Sequence, residues 1–209
     1  MINDYELFLF DFDGTLFDTY DSSVYVFEEA FRRIGINIDK KDVLTYTREP
    51  IRDTYRKLVG SMDGYPSFID SINELVFSQK VVDMAEIYED TARILTFLKE
   101  KNKLIGIVTS NAKDHLIDVL KRFDLENIFD VIIGNKEESE PKPSPKPILK
   151  ALETLNYLDK EKVVYIGDSL NDVLAAYNAD IDGVLLDRLG EFSSIREFKV
   201  IRSLDEIIR

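Results

Sequence analysis

Two aspartates near the N-terminus, Asp11 and Asp13, have the residue type and spacing to hold a cation or to react. They follow the apolar run at 7–10, and Gly14 comes next. Such a run, ended by a turn residue, predicts a buried strand whose C-terminal end reaches the ligand crevice of an α/β sheet. Carboxylates there are costly unless they bind a cation or react, and their oxygens suit Mg²⁺. The alternative is an ordinary Asp-Gly turn at the surface.

Polar residues also follow two later apolar runs, at 103–108 and 162–166, which the pattern predicts as strands. Because the carboxyl ends of parallel strands meet at one crevice, we expect these residues to converge with the first pair of aspartates. The candidates, including one lysine from the loop between the two runs, are Thr109, Ser110, Asn111, Lys142, Asp168, Ser169 and Asp172.

Each of these candidates also has an ordinary structural interpretation. Thr109 and Asp172 could cap helices, and the residues that follow Thr109 could be either caps or contacts for a phosphate. Lys142 could be a solvated loop lysine, and Lys136 and Lys146 are nearby competitors for any catalytic role. Convergence of the candidates at predicted strand ends favours the functional interpretation.

The elements that must position these residues fall into two parts. From residue 83 onward, strand patterns alternate with helical ones, which predicts an α/β fold with a doubly wound parallel sheet. Between 17 and 82 the pattern is helical, without a strong strand. We therefore predict an α/β core formed by residues 1–16 and 83–209, and a small helical domain at 17–82. The sequence shows helical patterns at 19–34, 39–59, 66–82 and 87–100.

Composition restricts the classes of function. With 209 residues, of which 44% are hydrophobic, the chain can bury a core in one or two domains. No cysteine is present and only one histidine, which excludes zinc-thiolate and two-histidine metal sites and a thiol nucleophile. The 27 basic and 40 acidic residues give a net charge of −13, so an anion site must be built locally from a metal ion, lysines or helix N-termini.

The same net charge disfavours non-specific binding to nucleic acid or to anionic membranes. The N-terminus lacks the basic start and apolar stretch of a signal peptide, and no apolar segment approaches the length needed to cross a bilayer. These features predict a cytoplasmic protein, a monomer or homodimer, with neither nucleic acid nor membrane as a partner.

Four segments, in order along the chain, resemble the signatures of the haloacid dehalogenase-like hydrolase superfamily. Asp-Phe-Asp-Gly-Thr-Leu at 11–16 looks like the first, Thr109 the second, Lys142 the third, and Gly-Asp-Ser-x-x-Asp at 167–172 the fourth. The helical stretch at 17–82 lies where this superfamily places its type-1 helical cap. The resemblance implies a Rossmann-like core, and the chain looks most like the phosphoglycolate phosphatase group.

The resemblance also implies a role for each matching residue. Asp11 would be the nucleophile that forms an aspartyl-phosphate, and Asp13 would act as general acid and then as general base. Thr109 would hold a phosphoryl oxygen, and Lys142 would neutralise the phosphate and orient Asp11. The implied ligands of Mg²⁺ are Asp11, Asp13 and Asp168, and the residues implied to support them are Asp172 and Ser169.

These roles imply a magnesium-dependent phosphatase that hydrolyses phosphomonoesters of small metabolites. The dehalogenases of the superfamily generally lack an aspartate at the position of Asp13, so its presence favours phosphate esters over carbon–halogen bonds. The alternatives are a β-phosphoglucomutase-like enzyme, a pyrophosphatase or nucleotidase, and a non-catalytic binding protein that has kept the fold.

Outside these signatures, three arginines recur every four residues and would share one helical face: Arg48, Arg52 and Arg56. They could form surface salt bridges with neighbouring acidic residues, or they could bind a second acidic group on the substrate. For the second case, Arg48 and Arg52 are the candidates for substrate binding. His115, in the helix predicted after Thr109, is expected to be exposed or packed.

Overall fold

The computed structural model describes residues 3–39, 41, 43, 51–135 and 140–208. The chain forms two compact units: Met1–Asp18 with Glu86–Arg209, called here the sheet unit, and Thr19–Ala85, called the helical unit. The sequence placed the two junctions at 16/17 and 82/83. In the structure they lie two to three residues later, because the residues that flank the helical unit pair with each other as short strands.

The strands, in chain order, are β1 (Leu7–Phe10), β2 (Phe17–Asp18), β3 (Glu86–Ile87), β4 (Leu104–Ala112), β5 (Val131–Asn135), β6 (Val163–Gly167), β7 (Asp182–Leu186) and β8 (Lys199–Ile201). Six of them form one sheet in the order β5-β4-β1-β6-β7-β8, and all its pairs are parallel. The predicted α/β fold with a parallel sheet is confirmed. β1 is fully buried, as expected of a continuous apolar strand covered on both faces.

The α-helices whose bounds fall within the described residues are α1 (Tyr20–Arg33), α2 (Ile51–Val59), α3 (Tyr65–Val76), α4 (Gln79–Met84), α5 (Glu89–Glu100), α6 (Lys113–Arg122), α7 (Lys146–Thr154) and α8 (Leu170–Asn178). Two 3₁₀ turns lie at Lys160–Lys162 and Leu204–Ile207. In the sheet unit, one core cluster joins Leu9 of β1 and Tyr165 of β6 to apolar residues of α7 and α8. No helix in the described part of the chain combines the length and apolarity needed to cross a bilayer.

The helical unit has an aromatic core of its own. Phe31, Tyr55 and Phe68 are completely buried, and the ring of Phe68 lies 4.4 Å from that of Phe31 and 4.9 Å from that of Tyr55. The helical stretch predicted at 66–82 is two helices, because Ser78 is extended (φ −74°, ψ 142°) and its hydroxyl donates to the carbonyl of Leu75. Of the stretch predicted at 39–59, residues 40, 42 and 44–50 lie outside the described residues.

Two element boundaries differ from the sequence prediction near the sheet's carboxyl edge. The helix predicted from residue 87 begins at Glu89, because Ile87 pairs antiparallel with Phe17. β4 continues past the predicted end to Ala112, with a register irregularity after Val108. In both cases a tertiary pairing forms strand structure at residues that no apolar run in the sequence marks.

β1 lies where the order of strands along the chain reverses, with β4 and β5 on one side and β6 to β8 on the other. In open α/β sheets, ligands bind outside the carboxyl ends of the strands at such a switch point. The ends of β1, β4 and β6 are the places where the candidate residues of the sheet unit lie.

Candidate active site

The chain turns tightly after β1, in the segment 11–17, called here the β1 turn. The amide of Asp11 donates to the carbonyl of Ile166 in β6, and the amides of Leu16 and Phe17 both donate to the carbonyl of Phe12. Gly14 has φ +73°, and a Cβ there would lie 2.5 Å from Oδ2 of Asp168. Both the backbone conformation and the close approach of the Asp168 carboxylate therefore require glycine.

Three carboxylates come together beside this turn. Asp11, Asp168 and Asp172, called here the acidic cluster, each place an oxygen within 4.8 Å of the others. Asp11 is 6% exposed and Asp172 only 1%, whereas Asp168 is half-buried. Carboxylates so close together and so poorly solvated repel each other strongly unless cations compensate them.

Lys142 supplies one compensating charge. Its Nζ donates to Oδ1 of Asp11 at 2.8 Å and to Oδ1 of Asp172 at 2.5 Å, and the Lys142 side chain is 9% exposed. Of its two sequence competitors, Lys146 is solvent-exposed and pairs with Glu140, and Lys136 lies outside the described residues. The peptide bond between Lys142 and Pro143 is cis.

Tyr165 also contacts the lysine and was missed by the sequence analysis. Its hydroxyl is 3.1 Å from Nζ of Lys142 and 3.2 Å from Oδ1 of Asp172, and it donates to the carbonyl of Val108 at 2.6 Å. The available signal was a polar-tipped aromatic in an otherwise aliphatic strand, two residues before Gly167 and therefore on the same face.

Asp172 takes part in capping a helix, one of the two interpretations that the sequence left open, and it also contacts Lys142. It lies in the first turn of α8, where the Ser169 hydroxyl accepts from the Asp172 amide and the Asp172 carboxylate accepts from Ser169 N–H at 3.0 Å and Oγ at 2.5 Å. This is a capping box. The other carboxylate oxygen of Asp172 binds Lys142, so the N-terminus of α8 is joined directly to the acidic cluster.

The pKa values of both Asp11 and Lys142 are raised, for different reasons. Burial raises the pKa of Asp11 well above its usual range, and the neighbouring aspartates add to the rise, while Lys142 opposes it. Burial lowers the pKa of Lys142, but Asp11 and Asp172 outweigh it and raise that pKa well above its ordinary value. Three carboxylates face one ammonium group, which leaves a surplus of negative charge.

This surplus of negative charge makes the acidic cluster a candidate site for a metal ion. Carboxylate oxygens within 4.8 Å of one another, in a buried and electrostatically unbalanced cluster, are donors that a hard divalent cation such as Mg²⁺ prefers. The carboxylates of Asp11 and Asp168, two of the predicted ligands, therefore fit such an ion. Among the described residues, the group that can converge on one ion contains Asp172, where the sequence analysis had placed Asp13.

Residues at the end of β4 approach Asp13. The Asn111 side-chain amide donates to Oδ2 of Asp13 at 3.3 Å, and the Asn111 backbone amide donates to Oγ1 of Thr109 at 3.0 Å. Thr109 is 4% exposed and lies inside β4, and the N-cap of α6 is Ala112, so Thr109 is not a helix cap. Ser110 is exposed.

His115, in the first turn of α6, is packed rather than exposed. It is 3% exposed, and its Nδ1 has no hydrogen-bond partner within the described ranges. Burial lowers its pKa, while Asp13 and Asp118 oppose the shift, so the imidazole is neutral near pH 7.

Of the arginines suggested for substrate binding, only Arg52 can be described, because Arg48 lies outside the described residues. Arg52 is exposed on α2. Arg56, on the same helix, lies 3.7 Å from Asp53 with both side chains about half exposed, which matches the salt-bridge interpretation for this part of the face.

Comparison with known proteins gives consistent matches. Residues 8–186 match the family described as haloacid dehalogenase-like hydrolase. The chain is 30% identical over 178 residues to a pyrophosphatase PpaX from Bacillus mycoides, covering 82% of this chain and 78% of the relative. It is 27% identical over 228 residues to a phosphorylated carbohydrates phosphatase from Thermotoga maritima, covering 97% and 100%. A crystal structure from Bacteroides fragilis, described as haloacid dehalogenase-like, matches with TM-score 0.86, 25% identity and coverage of 97% and 99%.

Proposed function

The chain belongs to the haloacid dehalogenase-like hydrolase family, and on that premise we propose that it is a magnesium-dependent phosphatase. The observation that carries this proposal is the contact of the Lys142 ammonium group with Asp11 and Asp172 in the acidic cluster, at 2.8 and 2.5 Å. A binding protein without catalytic activity would have little use for a buried carboxylate surplus that lowers its stability.

Asp11 is the proposed nucleophile. Both a carboxylate and a phosphate are anionic, so their approach requires cationic neutralisation, and phosphoryl transfer depends mainly on alignment and charge stabilisation. Lys142 supplies one positive charge at 2.8 Å from Asp11 and fixes the orientation of that carboxylate. Mg²⁺, when bound, would neutralise further negative charge on the cluster and on the transferring phosphoryl group.

The proposed reaction has two displacements at phosphorus. In the first, a carboxylate oxygen of Asp11 bonds to phosphorus, the ester P–O bond breaks, and Asp13 gives its proton to the leaving oxygen. In the second, Asp13 takes a proton from water, the water oxygen attacks phosphorus, and the bond to Asp11 breaks to release phosphate. The Asn111 amide, 3.3 Å from Asp13, holds this acid–base carboxylate in place.

Thr109 and Ser110 are the proposed contacts for the phosphoryl group at the end of β4, with Asn111 beside them. The proposed ligands of Mg²⁺ are Asp11, Asp13 and Asp168. Asp172 is proposed to position these ligands rather than to bind the ion, because one of its oxygens is engaged by Lys142 and the other by Ser169. Its role is then to keep Lys142 and the start of α8 in register with Asp11.

The proposed substrate class is small phosphorylated metabolites, with phosphomonoesters first. Pyrophosphate is a second candidate, because a relative at 30% identity is named pyrophosphatase PpaX. A relative named phosphorylated carbohydrates phosphatase supports including sugar phosphates. A sugar-phosphate mutase would use the same residues but return the phosphoryl group to the sugar.

The test is phosphate release from a panel that includes p-nitrophenyl phosphate, sugar phosphates, phosphoglycolate, nucleotides and pyrophosphate, each with Mg²⁺ and with EDTA. We expect release that requires Mg²⁺ and is absent in Asp11→Asn. Preference for pyrophosphate over every monoester would show that the protein is a pyrophosphatase and contradict the phosphomonoester assignment. Isomerisation of a sugar phosphate without net phosphate release would indicate a mutase. If no compound is hydrolysed or isomerised, the proposal of catalytic activity is contradicted.

A further inference from the structure

A second buried ion pair contacts the β1 turn from a part of the chain that carries none of the family signatures. Arg188 follows β7, and its guanidinium donates to both carboxylate oxygens of Asp90, through Nη1 at 3.0 Å and Nη2 at 2.9 Å. Nη2 also donates to the backbone carbonyl of Thr15 at 2.7 Å. The Arg188 and Asp90 side chains are 16% and 7% exposed.

Asp90 is itself held firmly at the start of α5. Its Oδ2 accepts from the Ser203 hydroxyl at 2.8 Å and from the Leu204 amide at 2.9 Å, in addition to Arg188. Burial raises the pKa of Asp90, but these donors outweigh it and bring that pKa below its ordinary value. The carboxylate is therefore ionised near pH 7 and held by two other segments of the sheet unit, Arg188 and the residues 203–204.

The guanidinium of Arg188 is held through its planar face as well as through its N–H groups. It lies 3.8 Å from the ring centroid of Tyr88, a cation–π contact. The Tyr88 amide and the Thr91 hydroxyl both donate to the carbonyl of Leu16, at 3.3 and 2.8 Å. At the far end of the β1 turn, the carbonyl of Thr15 is thus bound by Arg188, and the carbonyl of Leu16 by residues at the start of α5.

The β1 turn is consequently fixed at two points. At its start, the Asp11 amide donates to Ile166, and at its end Arg188 holds the carbonyl of Thr15. Asp13 lies between these anchors. We propose that Arg188, oriented by Asp90 and Tyr88, is a positioning residue that sets the geometry of the turn carrying the reactive carboxylates. This inference rests on the function proposed above.

Positioning matters for this chemistry because an error of about 1 Å in the placement of a reacting group can reduce the rate by about 10²-fold. Loss of the Arg188 contact frees the carbonyl of Thr15 and leaves Asp90 buried without its cation. The expected consequence is a lower kcat with little change in KM, since neither Arg188 nor Asp90 contacts the acidic cluster through any described hydrogen bond.

The test compares Arg188→Ala and Arg188→Lys with Arg93→Ala as a matched control. Arg93 lies on α5 and forms a bidentate pair with Asp205 at 3.2 and 2.8 Å, but it is 55% exposed and its described hydrogen bonds do not reach the β1 turn. We expect kcat to fall by at least about tenfold in Arg188→Ala with KM within about threefold, partial recovery in Arg188→Lys, and a change below about twofold in Arg93→Ala.

Hydrogen exchange of a peptide that covers 11–17 gives a readout independent of turnover. The amides of Leu16 and Phe17, both bonded to Phe12, should exchange faster in the two Arg188 variants and at the wild-type rate in Arg93→Ala. If Arg188→Ala fails to fold by circular dichroism, Arg188→Lys and Arg188→Gln are held to the same criteria.

Unchanged kcat in a folded Arg188 variant, or equal losses in the Arg188 and Arg93 variants, would overturn the positioning role. If the wild-type protein releases no phosphate from any compound, the proposed function fails, and exchange in the β1 turn decides this inference alone. Faster exchange confined to the Arg188 variants would then support the contact's role in ordering the turn, and unchanged exchange would refute it.

Discussion

Two buried charge clusters contact the β1 turn, and they are built in opposite ways. The acidic cluster sets three carboxylates against the single ammonium group of Lys142, and the pKa of Asp11 is raised. The second cluster pairs Arg188 with Asp90 one to one, and further donors lower the pKa of Asp90. Burial is similar in both, so the difference lies in the balance of charge.

The comparison separates two uses of buried charge. A pair with balanced charges and several hydrogen bonds fixes local geometry. An unbalanced cluster destabilises the fold and makes physical sense where a ligand supplies the missing charge. The first arrangement therefore suits the positioning of a backbone segment, and the second suits binding of a divalent cation and an incoming phosphate.

The largest expected effect is on the unbalanced cluster. Asp11→Asn removes the proposed nucleophile with almost no change of shape, so phosphate release should fall by at least about 10³-fold while the circular dichroism spectrum stays that of the wild type. Glu140→Gln, an exposed acidic site that pairs with Lys146, is the control and should keep full activity. Substantial release by Asp11→Asn would exclude it as nucleophile.

Removal of the metal ion is expected to have the second-largest effect on activity. With EDTA in excess, phosphate release should drop to background and return on addition of Mg²⁺. Because an ion that binds only the folded state stabilises it, Mg²⁺ should also raise the midpoint of thermal unfolding, and this rise should shrink in Asp168→Asn. A midpoint that is independent of Mg²⁺ in the wild-type protein would argue against the metal site.

Substitution of Lys142, which pairs with the acidic cluster, should reduce the rate less than the loss of Asp11 or of the metal. Lys142→Ala should lower kcat by about 10²-fold, because the Asp11 carboxylate loses its neutralising partner and its orientation. Lys146→Ala removes a nearby exposed lysine paired with Glu140 and should change kcat by less than about twofold. Similar losses in the two variants would show that Lys142 has no special role.

The two clusters should also respond to pH with opposite signs, measured by urea unfolding in EDTA. The folded pKa of Asp90 is lowered, so its stabilisation is present above the unfolded value of about 4 and is lost as pH falls through the folded value. The folded pKa of Asp11 is raised, so stability falls as pH rises from the unfolded value toward the folded one.

At pH 7, Asp90→Asn should therefore lower the free energy of unfolding by about 2 kcal/mol, since hydrogen bonds between charged groups are lost. Asp11→Asn should raise that free energy in the same metal-free buffer, because one repelling charge is removed while Asp172 still binds Lys142. Changes of the same sign in both variants would contradict the proposed difference between the clusters.

The smallest effect concerns the helical unit, which contains no comparable cluster among its described residues. If Arg52 binds a second acidic group on the substrate, Arg52→Ala should weaken kcat/KM for dianionic acid phosphates by about tenfold and leave p-nitrophenyl phosphate nearly unchanged. Arg56→Ala, which breaks the pair with Asp53, is the matched control. Equal small changes on both substrates would favour a purely structural surface role.

Much of the fold could be predicted from the sequence because it depends on local patterns of residues. The apolar run at 7–10 and the helical pattern at 19–34 correspond to β1 and α1 because hydrophobic periodicity is a property of residues close together in the chain. The pairing of Phe17 with Ile87 could not be predicted, because it joins residues on either side of the helical unit and neither flank has a strand pattern of its own.

For the site, the sequence determined which residue types stand at the ends of β1, β4 and β6, and therefore that carboxylates, a threonine and a nearby lysine could meet. Only the tertiary structure distinguished Lys142 from Lys146, added Tyr165 and Arg188, and showed that Asp172 both caps α8 and binds the lysine. The physical reason is that strand ends are set by local pattern, whereas charge balance, burial and hydrogen-bond partners depend on segments far apart in the chain.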